Sequence, residues 1–102
     1  MKRNRLGGTD IGVSELCFGT LVLGHLQANL SPDDGARALR KALELGVNFV
    51  DTAKSYKTYP HTRLGIEGFR DVVIASKSLS TTTDDMRADV ESCLRDTGRD
   101  VI

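Results

Sequence analysis

Apolar and polar positions alternate along the chain in short runs separated by two helix-length stripes. Met1–Leu16 alternates loosely and breaks at Gly7-Gly8 and again at Gly12. This predicts a short hairpin, with Arg3, Arg5 and Leu6 on one arm and Ile11, Val13 and Leu16 on the other. The apolar run Cys17–Leu23, bounded by Gly24, predicts a strand buried on both faces, as in parallel sheets. Gly19 inside that run points to a close approach to the backbone.

Ser31 then supplies an N-cap, Pro32 stands at the first helical position, and Asp34 falls where a capping box places its acidic partner. Ala36, Leu39, Ala42 and Leu43 form the apolar face of this helix, and Gly46 stops it. Val47–Val50 predicts a second strand ending in Asp51-Thr52. Between Ala53 and Arg70, Pro60 and two glycines leave room only for a short helix around Thr62–Ile66. Asp71–Ser76 predicts a third strand ending in Lys77. Thr82, with Asp85 three residues on, caps a second long helix lined by Met86, Val90, Cys93 and Leu94. Gly98 closes that helix, and Asp100–Ile102 reads as the start of a fourth strand. Such alternation argues for an α/β fold with a parallel sheet. A chain that stops on a strand's first apolar residues reads as cut rather than finished.

Composition narrows the function. Fourteen basic side chains balance fourteen acidic ones in 102 residues. That balance gives no basic stripe for nucleic acid. No run approaches the roughly 18 apolar residues of a membrane span, and no apolar segment follows the charged N-terminus. A soluble, cytoplasmic protein is expected. Cys17 and Cys93 lie far apart inside apolar patterns, which predicts buried, reduced thiols and no metal site.

In a parallel α/β sheet, chemistry gathers at the carboxyl ends of the strands. Those ends carry Thr20, Asp51 and Lys77, with Tyr56 on the loop after Asp51. Adjacent parallel strands lie about 4.8 Å apart, so Asp51 and Lys77 can pair. A phenol beside that ammonium has its anion stabilised, and its pKa falls from about 10. Tyr56 would then be a general acid for a developing alkoxide. Spacing alone leaves a second reading open: a turn aspartate, a solvated lysine and a packing tyrosine.

Arg5-Leu6-Gly7, Val13–Leu16, Phe18-Gly19-Thr20, Gly46–Phe49, Asp51-Thr52-Ala53 with Tyr56, and Val73–Lys77 follow one another in order. This string resembles the N-terminal part of the aldo/keto reductases. The resemblance implies the N-terminal portion of a (β/α)8 TIM barrel, incomplete at residue 102, with the hairpin plugging its bottom. The whole of residues 1–102 would be one partial reductase domain of three β/α units and the start of a fourth strand. It further implies reduction of small aldehydes or ketones with NADPH. By position, Asp51 resembles the aspartate of the family's catalytic tetrad, Tyr56 its proton donor and Lys77 the lysine that tunes it. Gly19, Thr20 and Asp51 would border the cofactor.

Departures accompany the match. The tetrad histidine would follow the fourth strand, beyond Ile102. His25 and His61 fall elsewhere, on loops, and read as solvated. Lys57 stands where the family usually has glycine, so the loop after Tyr56 is expected to differ. Tyr59 is a rival donor at the wrong spacing. Leu26–Pro32 and Tyr56–Pro60 resemble a bacterial subgroup with a C-terminal ferredoxin-like iron–sulfur segment, but two distant cysteines cannot make its cluster. A non-enzymatic truncated relative or a partner-binding fragment would share every one of these motifs. A phosphoryl-accepting signalling module fits poorly, because Phe18–Leu21 offers no acidic pair for a metal ion. Substrate identity, oligomeric state and the choice between NADPH and NADH are not legible here.

Overall fold

The computed structural model describes residues 1–102. Its two sheets are an antiparallel hairpin and a three-stranded parallel sheet. Strand β1 (Arg3–Arg5) pairs with β2 (Gly12–Ser14), as the sequence predicts. Asn48 ties this hairpin down: its Oδ1 accepts from the Ser14 amide at 2.7 Å, and its amide donates to Ser14 Oγ at 3.0 Å. Its Nδ2 also donates to the Gly12 carbonyl at 3.0 Å. Arg3 pairs with Asp71. Asn48 immediately precedes the second strand of the parallel sheet and Asp71 lies two residues before the third, so the hairpin sits at the amino ends of those strands.

The parallel sheet runs β3 (Cys17–Gly19), β4 (Phe49–Asp51), β5 (Val73–Ala75) in spatial order. Helix α1 (Pro32–Glu44) connects the first pair, and α2 (Tyr59–Ile66) the second. Ser31 Oγ accepts the Asp34 amide at 3.2 Å, the capping bond its position predicts. Gly46 takes φ +102°, the left-handed turn that ends the segment. Phe18, Val50 and Ile74 are register partners and pack together with Leu39, Leu43 and Ile66. Leu39 and Val50 are fully buried, and each such side chain stabilises the fold by about 1.5–3 kcal/mol. Because side chains alternate along a strand, Gly19, Asp51 and Ala75 share the opposite face, which no helix of this chain covers.

Four segments depart from expectation. The first parallel strand ends at Gly19 rather than Leu23, because Thr20–Leu23 coils into a 3-10 turn. It is half-buried on one face only, through Phe18, and Cys17 is exposed rather than buried. Helix α2 begins at Tyr59, not Thr62; Pro60 lies in its first turn, where the missing N–H would have no helical partner anyway. Helix α3 (Thr83–Thr97), capped by Thr82 Oγ to the Asp85 amide at 3.2 Å, buries Asp89, Cys93 and Thr97. Met86 and Val90, expected on its packed side, are exposed. Asp100–Ile102, expected to begin a fourth strand, pairs with nothing as a strand. No helix is long and apolar enough to cross a membrane.

Candidate active site

The strands finish in register: Gly19 lies opposite Asp51, and Asp51 opposite Ala75. Two residues past Ala75, Lys77 turns back over that edge. Its ammonium donates to both oxygens of Asp51, at 2.7 and 2.8 Å, and to the Thr52 carbonyl at 2.8 Å. The same nitrogen lies 5.2 Å from the centre of the Tyr56 ring. Burial pulls the Lys77 pKa down, but the Asp51 hydrogen bond and charge, with the Tyr56 phenol, outweigh it and raise the pKa above 10.5. The three residues singled out in the sequence therefore meet at one point.

Tyr56 ends a short 3-10 turn, Lys54–Tyr56, and its amide closes back on the Ala53 carbonyl at 3.1 Å. Lys57 follows at φ +58°, ψ +32°. A left-handed residue there explains the glycine usual in the family. Lysine adopts this left-handed conformation at a cost of about 1–2 kcal/mol. Behind it, Thr58 Oγ1 lies 2.8 Å from Thr20 Oγ1 and 3.2 Å from Thr52 Oγ1, all fully buried. The Thr20 hydroxyl thus faces the fold interior. Gly19 is exposed, and a Cβ built on it would meet nothing within 4 Å. The close approach expected at Gly19 comes from no part of this chain.

Gly24, which the sequence marked only as the end of an apolar run, is where a close approach does occur. A Cβ there would stand 2.6 Å from the Tyr56 carbonyl oxygen and 2.8 Å from Thr58 Cγ2. Cys17 opens β3, on the sheet face it shares with Gly19 and Asp51. Partial burial and the Asp51 carboxylate push its thiol above the usual value, so it stays protonated. Tyr59 does not join Lys77: it is buried, its hydroxyl shares a 2.8 Å hydrogen bond with Ser76 Oγ, and burial pushes its pKa up to about 12. His25 is exposed as expected. His61 is not: it sits inside α2, buried, with Nε2 donating to the Leu30 carbonyl at 2.8 Å.

A second polar cluster was not singled out in the sequence. Asp89 of α3 accepts from Lys54 and Ser78 Oγ, and from Ser80 Oγ at 2.5 Å. The Lys54 contact first, and then the two hydroxyls, hold its carboxyl well below the usual carboxylate range. One signal was available: Asp89 stands four residues before Cys93 on the buried stripe of the helix.

A parallel β/α sheet with its polar side chains at the carboxyl edge is common to (β/α)8 barrels and open doubly wound sheets. The aldo/keto reductase family model matches residues 15–102. Among solved structures, a thermostable aldo-keto reductase in complex with the inhibitor epalrestat is 26% identical, with a TM-score of 0.86. That match covers 98% of this chain and 40% of the other. The holo form of an aldo-keto reductase from Bacillus halodurans is 28% identical, with a TM-score of 0.82, covering 100% of this chain and 38% of the other. L-galactose dehydrogenase of Arabidopsis thaliana is 39% identical over 51 residues, 50% of this chain and 16% of the relative. The chain belongs to the aldo/keto reductase family and forms the N-terminal portion of its barrel. It spans about two-fifths of the length of the solved relatives.

Proposed function

We propose that this chain is the proton-donating part of an oxidoreductase that reduces small aldehydes or ketones with NADPH. One observation carries the reading: Asp51 holds the Lys77 ammonium at a bidentate contact 5.2 Å from the Tyr56 ring centre. In this reading, the Tyr56 hydroxyl donates its proton to the carbonyl oxygen as negative charge builds there. The Lys77 charge stabilises the phenolate left behind, and Asp51 keeps that charge in place. When bound, the nicotinamide supplies the hydride that reaches the carbonyl carbon. Thr20 is fully buried and offers the ring no open surface, whereas Gly19 and Asp51 would border it. They fit a flat ring, because no side chain stands over Gly19 and the sheet face beside Asp51 is uncovered.

Three strands do not close a barrel, so the isolated 102-residue chain is expected to be catalytically silent. The test follows NADPH consumption with a panel of small aldehydes and ketones. A complete barrel containing this segment should consume NADPH only when a carbonyl is present. Failure with every carbonyl would overturn the reductase reading. Turnover by the purified, monomeric 102-residue chain would overturn its dependence on the rest of the barrel.

A further inference from the structure

The donor reading places Tyr56 and Lys77 on two different loops, after β4 and after β5. Their separation sets how strongly the ammonium acts on the phenol, so the loops must be held together. Backbone bonds secure their roots: the Thr52 amide donates to the Ala75 carbonyl at 2.8 Å, and the Lys54 amide to the Lys77 carbonyl at 3.1 Å. Beyond the roots Tyr59 reaches Ser76, next to Lys77, at 2.8 Å, and a further link comes from α3. One oxygen of Asp89 takes the Lys54 ammonium, two residues before Tyr56. The other takes the hydroxyl of Ser78, next to Lys77, and that of Ser80 at 2.5 Å. The Ser80 amide in turn donates to Ser78 Oγ at 2.9 Å, which tightens the second loop on itself.

We propose that Asp89 is a positioning residue: one carboxylate on α3 that clamps the Tyr56 loop to the Lys77 loop and fixes the distance between them. The inference rests on the donor reading above. Packing alone does not call for a carboxylate here. Asp89 lies on the stripe shared with Cys93 and Thr97, and a buried ion pair is often no more stabilising than an apolar replacement of similar volume. What an apolar side chain cannot do is hold a lysine and two hydroxyls from separate loops at once. Its lowered pKa keeps the clamp ionised at neutral pH. Asp89 accepts from neither Tyr56 nor Lys77, so any effect on the reaction passes through Lys54 and the serines.

The experiment uses the complete reductase and compares kcat, KM and melting temperature for Asp89→Asn, Lys54→Met and the double variant. Misplacing a reacting group by about 1 Å can cost on the order of a hundredfold in rate. Each single variant should therefore lose tenfold to a hundredfold in kcat, as an order of magnitude. KM for the carbonyl should stay within about twofold, and the double variant should lose no more than either single. In a Tyr56→Phe background, neither substitution should lower the residual rate further. That silence is the readout a general structural role would not produce. Unchanged kcat in folded Asp89→Asn and Lys54→Met would overturn the clamp, as would a full additional loss in the Tyr56→Phe background. If Asp89→Asn does not fold, Lys54→Met, whose side chain is half exposed, decides alone. Full activity in Tyr56→Phe by itself would instead sink the donor reading, so the two failures are distinguishable.

Discussion

Gly24 shows how closely the Tyr56 loop is seated. Its would-be Cβ meets the Tyr56 carbonyl oxygen at 2.6 Å, and a backbone atom cannot swing aside as a flexible side-chain tip can. Gly24→Ala should shift that peptide, cost about 1–3 kcal/mol in urea unfolding, and lower kcat together with stability. Wild-type values for both would mean that the loop gives freely. Asp51 and Lys77 were legible in the sequence because an apolar run of strand length stops at each. Tyr56 was legible through its spacing from Asp51. Asp89 and Lys54 were not, since their contact spans 35 positions and leaves no local pattern. Lys57 was legible only as a departure from the family, and its positive φ supplies the reason glycine is usual there.

At the scale of elements, α1 was readable in full because its cap, its apolar stripe and its terminating glycine agree. In α3 those signals conflict. The periodic apolar residues Met86 and Val90 are exposed, while the buried stripe carries Asp89, Cys93 and Thr97. The burial of Asp89 goes with its hydrogen bonds to Lys54, Ser78 and Ser80, which periodicity does not report. Asp89 also makes α3 docking sensitive to acid. Its folded pKa lies below its unfolded one, so the unfolded chain binds more protons between the two values. Its contribution is present above the ordinary carboxylate value of 3.8 and is lost as pH falls toward the folded value. Urea unfolding of wild type should weaken over that acid range, and Asp89→Asn should weaken less steeply. Parallel slopes would remove Asp89 from the explanation. The hairpin depends in the same way on one side chain. Asn48→Ala leaves the buried Ser14 amide without its partner, at about 1–3 kcal/mol. Amide hydrogen exchange in Gly12–Ser14 should accelerate, and unchanged protection would show that Arg3 and Asp71 suffice.

The whole molecule is a sheet covered on one side. Helices α1 and α2 pack against Phe18, Val50 and Ile74, while the Gly19–Asp51–Ala75 row faces outward. The outer side of β5 has no strand partner, although β3 and β4 are paired in order. An unpaired edge beside an uncovered face favours association with another chain. The isolated 102-residue chain is expected to sediment as concentration-dependent assemblies, and a monodisperse monomer would contradict this. Alternation of strand and helix was enough to read a parallel α/β architecture. The barrel itself came from the family motifs, because three strands carry no local signal of closure.

The most direct test of the donor assignment is the rate of NADPH-dependent reduction of a small aldehyde by the complete protein, with and without Tyr56→Phe. Loss of a general acid should lower kcat by about 10²–10⁴-fold with the fold intact. A Tyr56→Phe enzyme that keeps its wild-type rate would contradict it and leave Lys77 and Asp51 as a structural ion pair.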